Sequence, residues 1–161
     1  MRASNGWRAP ATRCRPTRRT APPPSSGSSS MDRRTMPQSP DAPERMAGMV
    51  PGVRAGGFLF LSAIRGRDPA TNRMPDDPYE QACQALRNLE AVLAASGATR
   101  RHVVKVTLYL HDLEARQAFH RAWMEFFPED PPARLAVGVA DANAAPGGNA
   151  HYVLDVIALA P

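Results

Sequence analysis

The chain has 161 residues, 43% of them hydrophobic and 22% charged, values that fit one globular domain with room for a tail. Its net charge of +5 is concentrated at one end: residues 1–45 carry nine Arg against three acids, while residues 46–161 carry 11 basic against 12 acidic side chains, a net of −1. The body of the chain therefore lacks the basic excess of a nucleic-acid binder, and its apolar runs fall short of the roughly 20 residues that a membrane helix needs.

Residues 1–45, with Pro22-Pro23-Pro24, the run SSGSSS and the pairs Arg18-Arg19 and Arg33-Arg34, have almost nothing to bury and are expected to be disordered. The segment reads either as a transit-like leader or as an extension upstream of a start at Met31, Met36 or Met46. The folded domain is expected over residues 46–161. Cys14 and Cys83 are too few for a disulfide framework, and a reducing, cytoplasmic setting fits them best.

Val53-Arg54-Ala55 and Phe58-Leu59-Phe60-Leu61-Ser62 flank Gly56-Gly57, the pattern of two strands joined by a tight hairpin. A polar loop follows, with Asp68-Pro69 and Asn72 as turn residues. Asp77 is placed to cap a helix, with Pro78 in its first turn and Glu80 three residues after the cap. Ala82, Ala85, Leu86, Leu89, Val92 and Leu93 then recur at helical spacing up to Gly97. Val103 to Leu110 alternates as a strand, with Val104, Val106, Leu108 and Leu110 on one face and Val103, Lys105, Thr107 and Tyr109 on the other. Asp112 can cap a second helix whose apolar stripe is Leu113, Phe119, Ala122, Trp123, Phe126 and Phe127, ended by Pro128. Arg134 to Ala140 and Tyr152 to Ala160 complete the set as strands.

The order is β-β-α-β-α-β-β. Two helices cannot cover both faces of a sheet, so an α+β architecture with both helices on one face is expected. The other face would be left open in a monomer, which points to an oligomer.

No phosphate loop, CxxC or HExxH stands in the sequence, and His102, His111, His120 and His151 lack metal-ligand spacing. Arg134 is the most informative residue. A guanidinium that opens a strand among small apolar residues needs an anionic partner. That partner is either a carboxylate ligand or a structural acid such as Asp155.

Several segments together resemble the reactive intermediate deaminase (Rid, YjgF-like) family. They are the block from GFLFLSAIRG through QALRNL to VVKVTLYLHDL, then FHRAWMEFFPEDPPARLAVGVA, and the closing YVLDVIALAP. The resemblance covers nearly all of residues 50–161 and none of 1–45. It implies chorismate-mutase-like subunits assembled as a trimeric barrel, with ligand clefts between neighbours. It also implies hydrolysis of reactive 2-imino and enamine acids to 2-oxo acids and ammonia, without metal or organic cofactor. Such imines escape from dehydratases and damage other enzymes.

Carried over by motif, Arg134 grips the substrate carboxylate, Ser62 is a pocket serine, Ala63 stands at a usual glycine whose backbone lines the cleft, and Asn88 is structural. Tyr109 is expected to join Ser62 and Arg134 in binding substrate. The chain departs from the family at four positions: Met49 replaces a tyrosine, Ala136 a cysteine, His120 an asparagine, and Ile157 a glutamate, with Asp155 matching the acid before it. The expected catalytic groups are then the backbones of Ala63 and Ala136, which orient a water, and His120 as the proton carrier. Loss of polar groups at 49 and 157 suggests a bulky, hydrophobic 2-imino acid as substrate. The competing expectation is a non-catalytic trimer that binds a small carboxylate or a partner protein. Nucleic-acid processing is disfavoured by the −1 charge of the domain.

Overall fold

The computed structural model describes residues 39, 41, 48–113, 115–140 and 149–161. Nearly all of the expected tail, and Met46 with it, lies outside that set. The chain builds β1 (Gly52–Ala55), β2 (Phe58–Ile64), α1 (Pro78–Ala95), β3 (Val103–Leu110), α2 (Arg116–Phe126), β4 (Ala133–Gly138) and β5 (Tyr152–Leu159), with a short 3-10 turn at Arg100–His102. This is the β-β-α-β-α-β-β order expected from the sequence.

The strands form one sheet in the order β1-β2-β5-β3-β4. Gly56 and Gly57 both have positive φ, 57° and 79°, as a two-residue turn between antiparallel strands requires. β3 and β4 run parallel because α2 carries the chain back between them. β5 then enters antiparallel to both neighbours, between β2 and β3.

α1 forms as its sequence dictates. The Asp77 side chain accepts from the Glu80 N–H at 2.9 Å, Pro78 occupies the first turn, and Gly97 leaves the helix at φ 74°. Its apolar stripe is buried together with Leu59, Leu61, Val106, Leu108, Tyr152 and Leu154 of the sheet and Phe119, Ala122 and Phe126 of α2. Both helices thus lie on one face of the sheet. Asn88 serves the loop beside them: its amide donates to the carbonyls of Arg65 and Arg67, both at 2.7 Å. Between those two residues, Gly66 lies so close to α1 that a Cβ would overlap the Gln81 carbonyl.

Two local expectations are corrected. α2 does not start at an Asp112 cap: its N-cap is Ala115, with no side-chain cap bond, and Leu113 lies outside the helix, 67% exposed. The buried Tyr152 hydroxyl donates to the Ala115 carbonyl at 2.6 Å and ties the N-cap to the sheet, while the same carbonyl accepts the first helical bond from the Phe119 N–H at 3.1 Å. In β3 the alternation slips at its first residues. A register irregularity between Val103 and Lys105 places Val103 in the core and leaves Val104 exposed.

Among the described residues no helix covers the second face of the sheet. Phe58, Phe60, Leu135 and Leu159 stand exposed on it, with Val153 and Ile157 half-buried beside them. Among the described residues no helix is long and apolar enough to cross a membrane.

Candidate functional site

Parallel pairing places Arg134 opposite Val106, so its side chain leaves β4 on the helix-covered face. There it meets α2. The guanidinium carbon lies 4.7 Å from the centroid of Trp123 and 5.9 Å from that of Phe119, and Nη2 lies 3.2 Å from His120 Nδ1. Trp123 is itself fixed by Phe127, ring to ring at 4.5 Å, so the cation rests on a packed aromatic floor. Arg116, His120 and Trp123 follow one another at i, i+4 and i+7, which puts them on one stripe of α2.

An arginine only donates, so Nδ1 of His120 is the acceptor and the ring proton sits on Nε2. His120 is exposed, which leaves that N–H open to a ligand. Burial, and secondly the charge of Arg116, lower the pKa of Arg134 from its ordinary value. Among the described residues Arg134 meets no carboxylate. The structural alternative, an ion pair with Asp155, does not form. Asp155 pairs with Thr107 on the far side of β3, and it points to the open face.

Ala136 follows Arg134 two residues along on the same face and packs half-buried against the core. Arg134, His120 and Ala136 therefore come together. Ser62, Ala63 and Tyr109 do not join them within one chain. Ser62 lies on β2 and Tyr109 on β3, both with side chains toward the open face. β2 and β4 are three inter-strand steps apart, roughly 14 Å.

Ser62 and Ala63 form a bulge. From Leu61 to Ile64 the strand spends one residue more than β5 does from Val156 to Leu154. Ala63 takes φ 54° to make it, a left-handed conformation that favours glycine. The Ser62 N–H donates to the Pro51 carbonyl at 3.2 Å. The bulge opposes Asp155, and Asp155 opposes Thr107, so Ser62, Asp155 and Thr107 form a polar row across the open face. Ile157 lies on the same face, two residues beyond Asp155.

Sequence reasoning missed three contributors. Trp123, three residues after His120, was legible in the apolar stripe but read as core, whereas Arg116, four residues before His120, was not singled out. Asp155 was weighed only as one of two alternative partners for Arg134, because the strand order was unknown, and its place opposite the Ser62 bulge was missed. Elsewhere, a surface hollow of about 250 Å³ between the helices is lined by Tyr79, Cys83, Arg87 and Arg121 among others, and it contains none of the candidate site residues. Among the described residues no group of three or more His, Cys, Asp or Glu is placed to hold a metal ion.

Comparison with known proteins gives a consistent picture. The chain is 36% identical over 104 residues to the 2-iminobutanoate/2-iminopropanoate deaminase of Dermatophagoides farinae, covering 64% of this chain and 81% of that one. It superposes on a putative endoribonuclease L-PSP of Entamoeba histolytica with a TM-score of 0.72 at 30% identity, over 79% of this chain and 99% of that one. It superposes on E. coli TdcF with bound serine with a TM-score of 0.71 at 26% identity, over 78% of this chain and 98% of that one. The family model described as endoribonuclease L-PSP matches residues 39–149, and the chain belongs to that family, the Rid or YjgF-like proteins.

Proposed function

We propose that this protein is a cofactor-free hydrolytic deaminase of reactive 2-imino and enamine carboxylic acids, releasing 2-oxo acid and ammonia. The observation that carries the reading is Arg134. It is a cation held on the Trp123 indole and by His120, with no carboxylate facing it among the described residues. A guanidinium so placed is set to receive a ligand carboxylate through paired N–H donors.

In this reading Arg134 fixes the carboxylate and so places the imine carbon, an effect of orientation. Water adds to that carbon as a C–O bond forms, and the nitrogen takes up protons. The C–N bond then breaks, ammonia leaves, and the oxo group remains. His120, with its proton on Nε2, is the nearest group able to pass a proton to the nitrogen. The backbones of Ala63 and Ala136 orient the water. Asp155 supplies the carboxylate that position 157 lacks, since it lies on the same sheet face, opposite the Ser62 bulge.

The two half-sites lie on opposite faces and roughly 14 Å apart, so the reading requires that a neighbouring copy complete the cleft. A trimer closed by the exposed apolar sheet face satisfies both needs, and Phe58, Phe60, Leu135 and Leu159 would be covered in it. Sedimentation of the full chain is expected to give three subunits, and a monomer at micromolar concentration would refute this assembly. A cytoplasmic setting belongs to the same reading.

The test is release of ammonia and 2-oxo acid from imino acids generated in situ by an amino-acid oxidase. Arg134→Ala is expected to lower kcat/KM by roughly two to four powers of ten, the loss of two charge-assisted bonds of about 1.5–3 kcal/mol each. Arg134→Lys keeps the charge without the fork and should recover part of the activity. A folded Arg134→Ala protein with full turnover would eliminate the anchor.

A second reading is a binding module for a small carboxylate, supported by the solved relative with bound serine. Carboxylate binding that depends on Arg134, with no turnover, would favour it. RNA cleavage, suggested by the family model's description, is disfavoured by a domain with 11 basic and 12 acidic side chains.

A further inference from the structure

Arg116 opens α2 and stands one turn, roughly 6 Å along the axis, before His120 on the same stripe. His120 holds the Arg134 guanidinium, and Trp123, one turn further, lies beneath it. Arg134 and Arg116 thus flank His120, the first bonded to its ring and the second one turn before it on α2. Among the described residues neither guanidinium meets a carboxylate.

We infer that this site takes a dianion, a short-chain 2-imino dicarboxylate whose carboxylate beside the imine is held by Arg134 and whose distal carboxylate is held by Arg116. The identity of the reacting group rests on the deaminase reading, whereas the two-carboxylate recognition does not. A monoanion would neutralise Arg134 and leave Arg116 facing the ligand's side chain. An apolar side chain there would have to desolvate a guanidinium without return. A second carboxylate gives that cation a partner and relieves the repulsion between the two arginines. That repulsion is already felt, since Arg116 adds to burial in weakening the hold of Arg134 on its proton. The specificity inferred here replaces the bulky hydrophobic substrate suggested by positions 49 and 157, because Arg116 stands one helical turn from the histidine that holds the anchor.

The test is isothermal titration of the full chain with 2-oxoglutarate and with 2-oxobutanoate, stable acids that differ in the second carboxylate. The wild-type protein is expected to bind 2-oxoglutarate about tenfold or more tightly, as one extra charge-assisted contact allows. Arg116→Ala should bring the ratio of the two affinities close to one, and Arg116→Lys should restore part of it. A ratio is insensitive to the fraction of protein folded. Equal affinities in the wild type, a ratio that survives Arg116→Ala, or no binding of either acid would overturn the inference. Turnover of imines made in situ from glutamate and from leucine separates the two proposals. Selective binding without turnover of either imine defeats the deaminase reading and leaves the dianion site standing. Turnover without preference defeats the dianion site alone.

Discussion

Replacing Ala63 by glycine should make this protein more stable, and the size of the gain measures the strain at the β2 bulge. Ala63 sits at φ 54°, where the Cβ of an L-residue crowds the following carbonyl at a cost of roughly 1–2 kcal/mol. Glycine removes that clash, but it also frees the unfolded chain and returns roughly 0.5–1 kcal/mol. The expected net gain is about 0.5–1 kcal/mol. For a folded body of roughly 110 residues this corresponds to a rise of about 2–4 °C in Tm. Ala63→Val should move the other way by at least about 1 kcal/mol, because a β-branched residue tolerates the left-handed region less well. The assay is urea unfolding of the three proteins at one fixed concentration, since any association between copies adds to apparent stability. A glycine variant no more stable than the parent, with an unchanged m-value, would refute the claim that the bulge stores strain.

Three further outcomes follow from the packing. Gly66→Ala should destabilise by about 3 kcal/mol or prevent folding, because the new Cβ would overlap the Gln81 carbonyl in a buried position; a melting temperature equal to the parent's would show that the loop can shift. Tyr152→Phe leaves the Ala115 carbonyl without its hydroxyl donor and should cost about 1–3 kcal/mol in chemical denaturation, with a loss near zero counting against this tie as a support of the α2 N-cap. Burial raises the Glu90 carboxyl above its unfolded value, with Arg100 opposing, so the folded chain holds that proton more tightly. The contribution of Glu90 is therefore present at acid pH and lost as pH rises through its folded pKa. Glu90→Gln should raise Tm at neutral pH and leave it unchanged at acid pH, and the opposite trend in a Tm-against-pH series would reverse the assignment.

Much of the fold was legible from local patterns. Gly56-Gly57 specified a hairpin because two consecutive positive φ values have few other solutions. Asp77, Pro78 and the 3.6-residue apolar spacing specified α1, because capping and amphipathicity act within a few residues. The start of α2 and the first residues of β3 were misplaced. Each depends on a distant partner: Ala115 on the Tyr152 hydroxyl, and Val103 on its register against β5.

The candidate site divides along the same line. The sequence by itself marked Arg134, His120, Ser62 and Ala63 as unusual, from residue type, spacing and family motif. It could not say which of them meet. That was decided by β5 entering between β2 and β3 and by the parallel return of β4, which put Arg134 on the helix face beside His120, Arg116 and Trp123 and left Ser62 and Asp155 on the other. A side chain's face depends on strand register, and its neighbours depend on strand order. Both are set by pairings between residues far apart in the chain, where local propensity carries no information.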